Sequence, residues 1–348
     1  MIATRLAQAR KAASLSLRAL AEQVGVSQTT IAKYEKGEST PDSTMLLALA
    51  KALGVKVAYF FKSAPDIALT DLEYRKRAVS KKEIASIKAK VLEQVERRVE
   101  LEMLYPEVES RGFEVPDGLP EHLPYLYSID AVAAQVREVW HLGEDPIANL
   151  ADLLELHGIM VFEIDESADN NFDGLAAKAN GRQIITISKD WPGDRQRFTL
   201  AHELGHLILE GRLAPSVDEE KASDRFAGAF LLPEKALKER IGEKRKQLDI
   251  AELALIKAEF GVSMQVAFIR ANQCKIISYD YSSSLWKMFQ AKGWNETEPS
   301  EPYPKEKVLR FKQLVVRAVA EEWISESKGA ELLGMSVRKF HNYRMTGK

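Results

Sequence analysis

Residues 17–55 read LRALAEQVGVSQTTIAKYEKGESTPDSTMLLALAKALGV, and the pattern of this segment indicates the structure of the N-terminal region. Its first helical segment ends at Gly25, where glycine adopts a positive φ at little cost and permits a tight turn. Ser27 is a suitable N-cap for a second helix, in which Ile31 and Tyr34 face inward. The pattern therefore predicts two short helices joined by a tight turn.

The second of these helices has a polar outer face formed by Gln28, Thr29, Thr30 and Lys33. Gln can make two hydrogen bonds to adenine, a Thr methyl can contact thymine, and Lys can reach phosphate or guanine. In helix-turn-helix geometry the second helix enters the major groove, so these four residues are the candidate DNA contacts. A helical bundle that binds only protein is the alternative.

The length of 348 residues predicts two or three domains, and the content of 45% hydrophobic residues excludes a mainly disordered chain. The single cysteine, Cys274, excludes an intramolecular disulfide and favours a reducing, cytoplasmic location. No apolar run approaches the roughly 18 residues that span a bilayer, so we expect no membrane partner.

Charge is distributed unevenly along the chain. The net charge is −2, yet residues 1–62 and residues 304–348 each carry +5, which leaves −12 for the remainder. Two basic ends around an acidic middle favour contact with nucleic acid more than the total charge does.

Composition and periodicity divide the chain into four parts. These are a helical domain at 1–65, a linker with a charged helix at 66–120, a mixed α/β domain at 121–275, and an irregular segment with a basic helical tail at 276–348. The charged helix runs from about Lys81 to Leu104, with apolar residues three and four positions apart. It acts either as a spacer or as a dimer-packing element.

Two strand candidates of the third part, Leu175–Ala179 and Gln183–Ser188, flank Asn180-Gly181, a strong two-residue hairpin signal. Ile159 to Ile164 is a third strand candidate. An extended peptide could add to Gln183–Ser188 if this strand lies at a sheet edge. The alternative is an ordinary interior strand.

A helix predicted at 194–210 contains His202-Glu203-Leu204-Gly205-His206. Histidines four positions apart project from one face of a helix and can share one metal ion. Glu203 lies beside them, where it can take a proton from a water molecule. Zinc at a three-ligand site lowers the pKa of such a water to about 7, so the motif indicates metal-assisted hydrolysis.

A third protein ligand is expected on the next helix, predicted at 218–231. We select Glu220, and we expect Asp224, one turn later, to hydrogen-bond a ligating imidazole and fix its tautomer. Glu219 and Asp218 are local competitors for ligation, and a solvated helix end is the alternative for the acidic pair. Zinc is the preferred metal, although two His and one carboxylate also suit Mn, Fe or Co.

Residues 17–55 closely resemble the Xre/Cro-type helix-turn-helix domain, including Glu35-Lys36-Gly37 and Pro41. The resemblance implies binding to a double-stranded DNA operator. Such domains usually bind as a homodimer on half-sites one helical turn apart.

A second resemblance rests on three segments: VREVWHLGEDPIANLADLLELHGIMVFEID, RQRFTLAHELGHLIL and EEKASDRFAGAFLLP. They are similar to the ImmA/IrrE family of metallo-endopeptidases, which cleave helix-turn-helix repressors. The resemblance implies an α+β zincin-like peptidase domain, with His202, His206 and Glu220 as metal ligands and Glu203 as general base. One departure is Ser223, where the family often has Ala.

Together the resemblances imply a DNA-binding transcriptional regulator with a zinc-dependent endopeptidase-like domain. It would cleave or sense a repressor or partner protein in a mobile-element, stress or toxin–antitoxin locus. The alternative is a non-catalytic DNA-binding antitoxin or repressor, whose metal domain binds a toxin partner or a signal.

The tail sequence ISESKGAELLGMSVRKFHNYR predicts a second, weaker helix-turn-helix, with Gly334 at the turn and Ser336 as a cap. DNA binding by the tail is one interpretation, and packing on the peptidase domain or on a partner is the other. The predicted outer face of its last helix carries Arg338, Lys339, His341, Asn342 and Arg344.

Overall fold

The computed structural model of the protein describes residues 2–61, 67, 69–74, 81–105, 112–165 and 172–347. It confirms the expected fold class, a helical N-terminal domain, a central α+β domain and a helical C-terminal region. The expected boundary between residues 65 and 66 lies outside the described residues. None of the helices in the described ranges has the length and apolar character that crossing a bilayer requires.

The N-terminal domain contains four helices and a short 3-10 turn at Val57–Phe61. The helices are α1 (Ile2–Ala12), α2 (Leu17–Val24), α3 (Gln28–Lys36) and α4 (Ser43–Leu53). Helices α2 to α4 each begin at a side-chain cap and end at a glycine of positive φ, in the pairs Ser16 and Gly25, Ser27 and Gly37, and Asp42 and Gly54. These caps satisfy backbone groups that a helix end leaves unpaired, so each helix has defined limits.

A 22-residue helix, α5 (Lys81–Glu102), follows the strand β1 (Leu69–Tyr74). Its residues Ile87, Val91 and Val95 are fully buried in one cluster with apolar residues of the central sheet. The N-terminal domain packs on the same helix, where the hydroxyls of Ser14 and Ser86 are 2.8 Å apart. The apolar stripe, which the sequence left open as a spacer or a dimer element, is therefore covered within the chain.

Among its described residues, the central domain contains three further strands and eight α-helices. They are α6 (Ile129–Val139), α7 (Leu150–Leu156), β2 (Met160–Ile164), β3 (Gly174–Ala179), β4 (Arg182–Ser188), α8 (Gly193–Leu209), α9 (Glu219–Leu231), α10 (Glu234–Ile241), α11 (Ile250–Phe260), α12 (Met264–Gln273) and α13 (Tyr279–Ala291). Alternate residues of the strands face α5 on one side of the sheet and α8 on the other.

The four strands form one sheet in the order β1-β3-β4-β2. Asn180 and Gly181, with φ of 49° and 78°, connect β3 to β4 and confirm the predicted hairpin. Of the two alternatives for Gln183–Ser188, the interior strand is present and the edge strand is not, because β4 pairs with β3 on one side and with β2 in parallel on the other. That parallel pairing brings together segments that are distant in sequence.

The irregular segment expected after residue 275 contains the helix α13, and this part of the expectation is wrong. Ser278 caps α13, and Leu285 and Phe289 join the central core. Three consecutive serines weaken the helical pattern in the sequence, because serine competes with the helix for backbone hydrogen bonds. We propose that the central domain extends to about Val308, which packs on the same core.

The C-terminal region consists of three helices with a separate apolar core. They are α14 (Arg310–Ala320), α15 (Glu326–Leu332) and α16 (Val337–Thr346). Leu101, in the last turn of α5, and Tyr105, just after this helix, contribute to this core.

Candidate metal centre and DNA-binding face

Helices α8 and α9 pack closely where Gly205 faces Ser223. A Cβ atom at Gly205 would lie only 3.1 Å from the Cα of Ser223, so a larger residue would push the helices apart. Ser223 is itself fully buried in this contact. The close approach brings the first turns of α9 beside the two histidines of α8.

The two imidazoles and one carboxylate of the predicted ligand set converge on one point. The Nε2 atoms of His202 and His206 are 3.0 Å apart. The Glu220 carboxylate lies 3.7 Å from each of these Nε2 atoms. Candidate donor atoms of all three residues lie within 4.8 Å of one another.

The opposite ring nitrogens of both histidines contact carboxylates. Nδ1 of His202 is 2.8 Å from Asp224, and Nδ1 of His206 is 3.2 Å from Glu219. A carboxylate at Nδ1 keeps the proton on that nitrogen and leaves the lone pair of Nε2 available. The sequence predicts Glu219 only as a competing ligand and does not reveal this contact, because the contact depends on how α9 packs against α8.

The donor set fits a divalent cation. Two neutral imidazole nitrogens that face each other at 3.0 Å need an electron-pair acceptor between them, and a metal ion is one. Tetrahedral zinc with bonds near 2.0–2.1 Å separates its ligand atoms by about 3.3 Å, which is close to the spacings in the site. The Glu220 side chain is 63% exposed, so the site opens to solvent on that side.

Glu203 lies on the buried side of α8, and only 2% of this residue is exposed. Its Oε1 lies near Gly174, at the start of β3, where a Cβ atom would approach it to 3.9 Å and would clash with Thr199. The sequence does not identify Gly174 as a residue beside the site, since nothing near it in sequence marks the close approach. The buried carboxylate is surrounded by protein on the sheet side.

The four candidate DNA contacts lie on one face of α3. Gln28, Thr29 and Lys33 are exposed, and Thr30 is partly buried. The Thr30 hydroxyl lies 2.8 Å from the Ser27 hydroxyl and is therefore engaged in the helix cap. The Thr30 methyl group is the part of this side chain that could contact a DNA base.

Two regions of the chain match known protein families. Residues 6–60 match the family described as helix-turn-helix, and residues 154–272 match the family described as IrrE N-terminal-like domain. The protein therefore combines a DNA-binding module with a domain of a peptidase family. More specifically, it carries an Xre-type helix-turn-helix and an IrrE/ImmA-like domain in one chain.

Two curated proteins are similar to part of the chain. One is an "Uncharacterized transcriptional regulator in ATPase CF(0) region" of Rhodospirillum rubrum, 40% identical over 60 residues, which cover 17% of this chain and 56% of that protein. The other is the "Uncharacterized HTH-type transcriptional regulator y4aM" of Sinorhizobium fredii, 35% identical over 65 residues, which cover 19% and 46%. The chain spans about half the length of each.

Proposed function

We propose that this protein is a DNA-binding transcriptional regulator whose central domain hydrolyses a peptide bond in a partner protein. The convergence of His202, His206 and Glu220 is the observation that carries the proposal, since it assembles a metal-ligand set in a peptidase-family domain. Zinc is the metal that we propose. The partner is a repressor or toxin protein encoded in a mobile-element, stress or toxin–antitoxin locus.

A divalent ion at this position would supply Lewis acidity that lowers the pKa of a water molecule and polarises a peptide carbonyl. Asp224 and Glu219 contact Nδ1 of the two histidine rings, an orientation that would leave both Nε2 atoms free to hold such an ion. Glu203 acts as the general base: its carboxylate takes a proton from the attacking water and passes it to the nitrogen of the leaving amine. The burial of Glu203 restricts the orientations that its carboxylate can adopt on α8.

The DNA-binding module determines where this activity takes place. Gln28, Thr29, Thr30 and Lys33 contact an operator in the major groove, and the protein binds there as a homodimer. Cleavage of a protein bound at the same locus would then change transcription locally.

A second candidate function is that of a non-catalytic antitoxin or repressor, and one observation favours it. The strand β1 pairs along β3 from Leu69 opposite Ala179 to Tyr74 opposite Leu175. A substrate peptide cannot add to this edge beside the metal centre unless β1 leaves it. In that case the central domain would bind a toxin or a signal without turnover.

The decisive experiment uses the full-length protein, its metal content and the purified products of neighbouring genes. Wild type should retain about one zinc per chain and cleave one of these proteins in a chelator-sensitive reaction. Glu203→Gln should slow the cleavage by about 10²- to 10⁴-fold, the usual contribution of a general base, and keep the zinc. Glu210→Gln, at the exposed end of α8, is the matched control and should cleave like wild type.

Three results would contradict the proposal. A protein that retains no metal, or a Glu203→Gln variant that cleaves at the wild-type rate, would remove the hydrolytic mechanism. Tight binding of a protein encoded by a neighbouring gene, without its cleavage, would support the non-catalytic antitoxin or repressor function instead.

A further inference from the structure

The three C-terminal helices repeat the backbone design of the N-terminal DNA-binding module. The helix caps, the turn glycine and the central core residue recur 309 positions later, as Ser16 and Ser325, Gly25 and Gly334, Ser27 and Ser336, and Ile31 and Phe340. Both glycines adopt a positive φ, +73° and +63°.

One hydrogen bond in each turn joins equivalent positions. The amide of Val26 donates to the carbonyl of Ala21 at 3.0 Å, and the amide of Met335 donates to that of Ala330 at 2.8 Å. The N-cap of the second helix is equally matched. The hydroxyl of Ser27 accepts from Thr30 at 3.1 Å, and that of Ser336 accepts from Lys339 at 3.2 Å.

The cores of the two units are filled by different residues at matching positions. Leu20 and Ile31 are both fully buried in the N-terminal unit, and their counterparts are Gly329 and Phe340. A Cβ atom at Gly329 would lie 2.8 Å from the Phe340 ring. The larger aromatic side chain therefore uses the volume that a side chain at position 329 would need, and the helix arrangement is kept.

The C-terminal unit is held on α5. The hydroxyl of Tyr105 donates to the carbonyl of Leu314, and Nζ of Lys328 lies 2.6 Å from the carboxylate of Glu100. The N-terminal unit packs on an earlier part of the same helix through Ser86. One helix thus carries both units.

The exposed face of α16 has the chemistry that reads DNA. Arg338 matches the position of Thr29, Lys339 that of Thr30 and Asn342 that of Lys33. All three side chains are exposed. Arg makes two hydrogen bonds to guanine and Asn makes two to adenine.

Helix α16 itself contains no acidic residue. Residues 332–347 contain no Asp or Glu. Glu326, on α15, lies 3.0 Å from Nδ1 of His341 and 3.3 Å from Nη1 of Arg344. This carboxylate orders two polar side chains on the flank of α16.

We propose that residues 310–347 form a second helix-turn-helix and that α16 enters the major groove of double-stranded DNA. Arg338 and Asn342 are its base-reading residues, and Lys339 neutralises a phosphate. Because both units belong to one chain, binding of one raises the local concentration of DNA at the other. The protein therefore reads two sites on one duplex.

The test measures binding of the full-length protein to a labelled mixed-sequence duplex of about 40 base pairs, which is long enough for sites several helical turns apart. Arg338→Ala with Lys339→Ala should raise Kd about 10-fold or more and reduce the slope of log K against log salt by about 1 to 2. The control, Lys244→Ala with Lys246→Ala, also removes two exposed basic residues and should change neither quantity.

A conservative variant separates base reading from charge. Arg338→Lys keeps the charge but loses the double hydrogen bond, so it should retain the salt dependence and lose preference among duplexes selected by the wild-type protein. Circular dichroism must show that the variants keep the wild-type helix content. If the double alanine variant binds with wild-type Kd and salt slope, α16 does not contact DNA, and a protein surface would be its ligand instead.

Discussion

Helices α3 and α8 both carry candidate functional residues, yet they obtain their surroundings in different ways. The candidate DNA-binding face of α3 is exposed and rests on caps and a core from neighbouring segments of the chain. On α8, His202 and Glu203 are only 1% and 2% exposed, and their neighbours come from α9 and β3. The candidate DNA-binding face is thus encoded locally, whereas the candidate metal centre depends on long-range packing.

The sharpest way to test this difference is to change only the exposed face of α3. Gln28→Ala with Lys33→Ala should weaken operator binding by about 30- to 100-fold, because a base contact and a charge contact are lost together. The measurement is a gel shift or fluorescence anisotropy titration at fixed salt.

The same double variant should bind zinc and unfold as the wild type does. A changed metal affinity would show that the α3 face and the candidate metal centre are coupled, and that α3 is not independent of the central domain. Wild-type affinity for the operator would refute the assignment of the α3 face.

The metal centre should respond to changes outside its ligand set. Asp224→Asn removes the negative charge 2.8 Å from Nδ1 of His202 and should weaken zinc binding by about 10- to 100-fold. Glu219→Gln should have a smaller effect, since its contact is longer, 3.2 Å, and its side chain is 62% exposed. Competition with a chromophoric chelator measures both affinities.

Operator binding provides the control for these two variants, because neither residue lies in the helix-turn-helix. Zinc affinity that is unchanged in Asp224→Asn would show that the histidine rings are held by packing alone. A larger loss in Glu219→Gln than in Asp224→Asn would reverse the assigned importance of the two carboxylates.

The same contrast between local and long-range contacts determines which features the sequence could predict. The turn at Gly25 and the hairpin at Asn180-Gly181 follow from residues that are adjacent in the chain, and both are present. The interior position of β4 depends on its parallel pairing with β2, and the place of Gly174 depends on contacts of β3 with α8. No local pattern encodes such partners.

Glu155 of α7 lies 3.5 Å from Arg98 of α5, and this contact provides a pH-dependent test of how α5 is joined to the central domain. Burial raises the pKa of Glu155 to about 7, although Arg98 of α5 opposes this shift. Because the pKa of Glu155 is higher in the folded than in the unfolded state, its protonation stabilises the folded protein. This contribution is fully present at pH values below the unfolded-state pKa and is lost as the pH rises through about 7.

Glu155→Gln removes the titration and should raise the free energy of unfolding at pH 8 by about 1 kcal/mol or more, with a much smaller effect at pH 5. Denaturant unfolding at the two pH values measures the difference. An equal effect at both would mean that Glu155 does not titrate in this range.

The smallest effect concerns Ser223, which lies in the contact between α8 and α9. Its hydroxyl is buried and has no hydrogen-bond partner among the described residues. Ser223→Ala should therefore stabilise the protein by about 1 kcal/mol, since a buried polar group without a partner costs about that much. Thermal unfolding measures the gain. Weaker zinc binding in this variant would mean that the hydroxyl serves the metal centre, whereas unchanged binding would limit its role to packing.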